Sequence, residues 1–338
     1  LRYLREDKAL KSLKSSKNNG KMDMIIGTRG SRLALVQTRK VAALLKEKGI
    51  ETDEQIIKTD GDRFTDRPLY QVSTGVGAFV RELDDAMVAD GIEIAVHSMK
   101  DLPTARPPEL ITAAVLPRDS PYDVLLTPEG LTIDELPKNA VIGTSSMRRR
   151  AQLLRYRGDL VIEELRGNID TRLRKLEEGQ YDGIILAEAG LERMGWTDRV
   201  RTRLDIDMFC PSPNQGTVAV VALAGTPAVK AVSLLNDEMS QIETKIERLV
   251  VRDLEGGCTT PIGSYAKFEQ NGTKIRVRAE VLSCDGTKSI KVDEKISAGN
   301  WEKEAEALGK FLADSGGKLL AEEAVCHIRE LKGEKGTN

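Results

Sequence analysis

The chain has only two histidines, His97 and His327, and four cysteines, Cys210, Cys258, Cys284 and Cys326, with no Cys-x-x-Cys pair among them. That leaves too few ligands at metal-binding spacing, and no metal site is expected. No run of about 18 or more apolar residues occurs, so no membrane-spanning helix is expected either. Net charge is nearly nil, −2 from 51 basic and 53 acidic residues, which gives no support to a bulk nucleic-acid binder. Neither a Walker A loop nor a dinucleotide fingerprint is present, and no Ser/His/Asp arrangement stands out. No secretory signal peptide is read at the start, so the expected compartment is the cytosol, where thiols stay reduced.

What the chain does have is alternation. Strands are expected at Met24–Thr28, near Gln55–Thr59, at Ile92–His97 and at Leu110–Leu116, with helices after Ser31 and near Ala78–Asp90. Such βαβ spacing predicts an α/β fold with a largely parallel sheet. Pro117-Arg118-Asp119-Ser120-Pro121 reads as a linker, and the pattern restarts with strands at Val141–Thr144, Leu160–Leu165 and Gly183–Leu186. Cys210 to Gly216 is a second punctuated stretch, after which the apolar run Val218–Ala224 can rejoin the first sheet. Two crossings between two α/β units predict a hinged pair around a cleft. The expected domains are 22–117 with 217–236, then 121–210, then a small α+β domain over 240–332. Strands near Tyr265–Phe268, Ile275–Leu282 and Ile290–Val292 belong to that last unit, closed by helical sequence from Trp301 that breaks at Gly316-Gly317. Residues 1–21 are basic but include Glu6 and Asp7, which fits a transit peptide poorly; a solvated tail or an over-extended reading frame is expected.

Arginines recur where strands give way to helices. Arg148-Arg149-Arg150 follow Gly143-Thr144-Ser145-Ser146, although a helix start disfavours exposed cations by about 0.3–1 kcal/mol each. A solvated charged face is the plain reading. Free N–H groups, serine hydroxyls and guanidiniums converging at one point argue instead for an anion site. Arg29 with Ser31, Arg166 with Arg172, and Arg193 occupy comparable junctions, where open α/β sheets bind ligands. Together they imply a polycarboxylate or phosphate in the cleft. Asp101 stands just past an apolar strand, either as half of a surface pair with Lys100 or as an anion able to hold a developing positive charge. His97 reads as a hydrogen-bonded strand-end residue. Cys258, in Leu254-Glu255-Gly256-Gly257-Cys258-Thr259-Thr260-Pro261, is presented on a glycine-rich loop with a proline-stiffened exit; taken alone, a buried turn cysteine is the commoner explanation.

Six ordered segments change those odds: IGTRGSRLALVQT (26–38), IAVHSMKDLP (94–103), IGTSSMRRR (142–150), LRGNIDTRL (165–173), YDGIILAEAGLERMG (181–195) and LEGGCTTPIG (254–263). From about Met24 to Leu331 the chain resembles the porphobilinogen deaminase (hydroxymethylbilane synthase) family. The resemblance implies two hinged α/β domains like periplasmic solute-binding proteins, plus the small C-terminal domain carrying the cofactor cysteine. It implies a monomeric transferase of tetrapyrrole biosynthesis that condenses four porphobilinogen molecules, releasing ammonia, into linear hydroxymethylbilane. The primer would be a dipyrromethane cofactor, made from the substrate and joined to Cys258 through a thioether. Asp101 would be the catalytic group, stabilising the azafulvene-like cation formed as ammonia leaves. Lys100, Ser146, Arg148, Arg149 and Arg172 would hold the cofactor, while Arg29, Ser31, Arg166 and Arg193 would face the substrate and the growing chain.

The chain departs from the family's pattern at Val76, where a lysine is frequent, and at Thr259-Thr260, where Gln-Val is common. A non-catalytic two-lobed binding protein for carboxylated ligands is the alternative reading, but it leaves Cys258 and Asp101 unexplained. A regulator with an effector-binding pair of lobes is a third, and no helix-turn-helix segment precedes residue 24 to support it.

Overall fold

Two five-stranded sheets and one three-stranded sheet organise the chain, and the computed structural model describes residues 23–58, 80–89, 91–103, 106–199, 202–254 and 260–332. Residues 1–21, Val76 and Cys258 lie outside those ranges.

The first lobe begins with β1 (Asp23–Thr28), α1 (Arg32–Glu47), β2 (Glu51–Ile56), α2 (Arg81–Val88), β3 (Ile94–Ser98) and β4 (Leu110–Val115). Its β3 is buried over Ile94–His97, as a central strand covered on both faces must be. One face packs Ile26, Ile94 and Val96 with Val41 and Leu45 of α1; the other packs Ala95 with Leu83 and Met87 of α2. The second strand lies about four residues earlier than its expected place near Gln55–Thr59. Pairing with β1 in register Asp23↔Glu51 sets its position, and as a mostly exposed edge strand it carries no apolar pattern to announce itself.

The chain then crosses into the second lobe: β5 (Asp123–Leu126), β6 (Val141–Gly143), α3 (Met147–Tyr156), β7 (Val161–Glu163), α4 (Ile169–Glu177), β8 (Gly183–Ala187), α5 (Glu188–Arg193) and β9 (Thr202–Arg203). It returns as β10 (Val218–Leu223), a buried apolar strand that pairs antiparallel with both β3 and β4. The sheet orders are β2-β1-β3-β10-β4 and β7-β6-β8-β5-β9. Each is parallel on one side, and in each the fourth strand runs antiparallel to its neighbours. That strand is the one the chain enters directly after a crossing.

The crossings lie side by side. Asp119 N–H donates to Gly216 O at 3.0 Å, and a Cβ on Gly216 (φ +87°) would stand 2.6 Å from the carbonyl oxygens of Asp119 and Ser120, so only glycine fits. Across the cleft, Arg32 of α1 pairs with Asp170 of α4 at 3.2 Å and stacks 5.1 Å from the centre of the Trp196 ring.

α6 (Pro227–Ser233) packs on the first lobe, and α7 (Glu238–Val251) opens the third unit. It comprises β11 (Ile262–Phe268), β12 (Lys274–Leu282), β13 (Ser289–Ser297), α8 (Trp301–Leu312) and α9 (Lys318–Lys332), with the helical run interrupted by Gly316 at φ 108°. Alternation along β12 sends Ile275, Val277, Ala279 and Val281 into a core with α7 and α8. The opposite face of β12 turns Glu280 toward the second lobe, where it accepts from Gln152 Nε2 (2.7 Å) and Arg155 Nη1 (2.7 Å) of α3.

Candidate active site

Asp101 closes a three-residue 3₁₀ turn, Met99–Asp101, directly after β3. Met99 is buried and its N–H donates to Thr217 O at 2.9 Å, so the turn is anchored to the strand entry of β10. Lys100 and Asp101 are thereby left half-buried at the carboxyl ends of the parallel strands.

A pocket beside Asp101 is lined by Arg29, Ser31, Gln37, His97 and Ser98. Ser31 caps α1 by accepting from Ala34 N–H (3.4 Å), and Gln37 Nε2 donates to Ser98 Oγ at 2.9 Å. Burial, and then the Arg106 and Arg29 guanidiniums, push the His97 imidazole down to about 3. The ring is therefore neutral at physiological pH and does not act as a cationic acid.

From the second lobe, Ser146 caps α3 by accepting from Arg149 N–H, and Asn168 caps α4 by accepting from Thr171 N–H at 3.0 Å. These caps fix the first turns that carry the arginines. Arg148 donates to Asp123 Oδ2 (2.8 Å), Gln152 Oε1 (2.9 Å) and Cys210 O (2.8 Å). Arg149 donates through Nε and Nη2 to Asp123 Oδ1 (3.1 and 2.7 Å) and through Nη1 to Ile185 O. Asp123 opens β5 with its side chain fully buried. Burial works against its charge, but Arg148 and Arg149 outweigh it and hold the carboxyl well below the usual carboxylate range. Gln215, from the second crossing, donates to Asp123 Oδ1 (2.9 Å) and accepts from Lys100 Nζ (3.3 Å), linking the two lobes' charged groups.

Positive charge is in excess here. Burial and the neighbouring Arg149 and Arg148 lower Lys100 to about 8, against the opposing pull of Asp101 and Asp123. Burial, then Arg149 and Arg166, lower Arg172 to about 10, with Asp101 again opposing. Arg172 Nε donates to Gly167 O at 2.8 Å, and Arg166 lies 3.6 Å from Glu164. Cations lowered first by burial and then by neighbouring guanidiniums would be relieved by a bound polyanion.

Of the residues singled out in the sequence, Lys100, Asp101, Arg149, Arg166 and Arg172 thus form one electrostatic group, and Arg29 and Ser31 share a pocket with Asp101. Arg148 is directed into the protein. Arg193 sits at the crossings, donating to Asp119 Oδ2 (2.8 Å) and Gly216 O (2.7 Å). Cys258 lies outside the described residues, between Leu254 and Thr260, both buried. The buried counter-ion Asp123 was not read from the sequence, nor was the bridging role of Gln215. A lone aspartate after a proline-flanked linker gives no sign that two arginines will meet it.

Residues 24–231 match the family model described as "Porphobilinogen deaminase, dipyromethane cofactor binding domain", and residues 241–315 match "Porphobilinogen deaminase, C-terminal domain". The chain is 61% identical over 305 residues to a probable porphobilinogen deaminase of Methanosarcina mazei, covering 90% of this chain and 96% of that one. It is 62% identical to its counterpart in Methanosarcina acetivorans at the same coverages. It is 44% identical to the porphobilinogen deaminase of Sulfurimonas denitrificans, covering 86% of this chain and 92% of that one.

Proposed function

The chain belongs to the porphobilinogen deaminase family, and from that premise we propose that it joins four porphobilinogen molecules head to tail into linear hydroxymethylbilane, using Asp101 as its catalytic carboxylate. The observation that carries this reading is the gathering of Lys100, Arg149 and Arg172 around the half-buried Asp101 at the strand ends, with Lys100 and Arg172 lowered by burial and then by neighbouring guanidiniums. The relatives are enzymes by name, which favours a transferase over a passive carboxylate-binding protein.

The residues present fit a dipyrromethane bearing acetate and propionate groups. Ser146 supplies a hydroxyl at the start of α3, and Lys100 and Arg172 are destabilised in their charged forms by burial and neighbouring cations, a cost an added anion would relieve. Lys100, Ser146 and Arg172 would hold its carboxylates directly. Arg148 and Arg149 would set the positive field from behind, fixed on Asp123. Cys258 would anchor the group through a thioether, its loop held at both ends by the buried Leu254 and Thr260. When bound, the dipyrromethane supplies an unsubstituted pyrrole carbon as the nucleophilic end of the chain.

Each condensation breaks the aminomethyl C–N bond of porphobilinogen, releases the nitrogen as ammonia, forms one C–C bond and loses one proton from the attacked pyrrole carbon. Positive charge develops on the incoming pyrrole as the C–N bond opens. Asp101 would balance that charge and accept the pyrrole N–H, in surroundings whose other charged groups repel a cation. Arg29, Ser31 and Arg166 would receive the substrate's acetate and propionate by charge-assisted bonds. Arg193 would act on the chain from the crossings. The neutral His97 keeps one more cation out of the pocket.

Intact mass and peptide mapping test the reading. Two linked pyrroles on the Cys258 peptide, absent from Cys258→Ser, are expected. An unmodified thiol that stays unmodified after incubation with porphobilinogen would overturn it.

A further inference from the structure

We propose that Arg248, on α7 of the third unit, is a positioning residue that holds the Asp101 carboxylate in its working place. Its Nη2 donates to Met99 O (2.9 Å) and Leu102 O (3.0 Å), and its Nη1 donates to Pro103 O (3.1 Å). With the Asn214 amide turned so that its nitrogen donates to Thr244 O at 3.0 Å, the amide oxygen accepts from Arg248 Nε. One guanidinium thus grips backbone carbonyls on both sides of Asp101 while itself fixed from behind by the second crossing. The last carbonyls of a helical turn have no partner within the turn, and a cation there is favourable.

Arginine is the residue this arrangement calls for. Its planar fork reaches three carbonyls at once, whereas a lysine ammonium on a flexible stem reaches one or two without fixing their relative orientation. A 3₁₀ turn has few bonds of its own. Within this one, Leu102 N–H returns to Met99 O at 3.2 Å, so the outside grip sets the direction of the side chain between. The same helix runs on through the Arg252–Leu254 turn toward the cysteine loop, and Leu254 is fully buried.

The inference rests on the catalytic assignment of Asp101, and the test separates the two. Arg248→Lys is purified with its dipyrromethane, loading is checked by intact mass, and kcat and KM are measured beside Asp101→Glu and the double variant. Misplacing a catalytic group by about 1 Å costs on the order of a hundredfold. Arg248→Lys is therefore expected to lose roughly ten- to a hundredfold in kcat, with KM within about twofold and loading intact. Because Asp101→Glu has already displaced the carboxylate, adding Arg248→Lys to it should cost far less than it does alone. A wild-type kcat in Arg248→Lys, an additive loss in the double variant, or loss of the dipyrromethane would each overturn the proposal. Wild-type kcat in Asp101→Glu would instead sink the Asp101 assignment.

Discussion

Replacing Asp123 by asparagine is the sharpest perturbation this architecture offers. The carboxylate is fully buried and accepts from Arg148 Nη2, Arg149 Nε and Nη2, and Gln215 Nε2, all at 2.7–3.1 Å. Two guanidiniums already share one carboxylate, and Lys100 is close enough to be depressed by the pair. Asparagine removes the negative charge that Arg148 and Arg149 share and turns an amide N–H₂ toward donors. Breaking a buried ion pair by removing one partner costs about 3–5 kcal/mol. At about 2–4 °C per kcal/mol for a large chain, the melting midpoint should fall by roughly 10 °C. The pH dependence supplies a second check. Asp123 has a folded pKa depressed below its ordinary 3.8, so the unfolded chain binds more protons in the interval between the two. Its contribution is present above 3.8 and disappears as pH falls through the folded value, so the gap between wild type and variant should narrow in acid. Calorimetry at neutral pH and near pH 3 reads both effects. A variant melting within about 2 °C of wild type at neutral pH, or a gap that does not narrow in acid, would refute the argument.

Asp101→Asn should lose at least about a hundredfold in turnover while intact mass still shows the dipyrromethane, and loss of that mass would assign the residue to attachment instead. In the cofactor-free Cys258→Ser protein, Lys100 at about 8 is charged below that pH and neutral above it. Porphobilinogen binding should therefore weaken as pH rises past 8, by up to about tenfold per unit, and calorimetric titration that finds a flat profile would refute this. Gly286, at φ +75°, lies so close to Ala151 O of α3 that a Cβ would overlap it. Gly286→Ala should consequently cost roughly 1–3 kcal/mol by forcing the third unit off the second lobe, and an unchanged melting midpoint would show that the contact yields.

The strands with strong apolar runs were legible, and so was the pair of crossings, because a buried central strand cannot hide its composition. The short ones were not. β5 is four residues beginning with an aspartate, and β9 is two, so neither carries enough pattern to be told from a linker. The arginines of α3 were legible as an anomaly, three cations at a helix start, but their partners were not. Arg148 and Arg149 meet Asp123 only because β5 enters the second sheet beside β8. Arg248 was invisible for the opposite reason: on an amphipathic helix rich in charge, one more arginine attracts no notice until its three carbonyl partners are seen.

The paired crossings have a mechanical consequence. A single connecting strand would let two lobes twist, slide and bend, whereas two strands joined to each other by Asp119, Gly216 and Arg193 leave bending about one line as the easy motion. The third unit is fastened to that line and not to either wall alone: Arg118 of the first crossing pairs with Glu247 of α7, Asn214 N–H of the second donates to the same carboxylate, and Ser264 N–H donates to Pro211 O. Displacement on a hinge grows with distance from its axis. The third unit, fastened at the pivot, is therefore the part that moves least when the cleft changes width, while the walls carrying Arg29 and Arg166 sweep the larger arc.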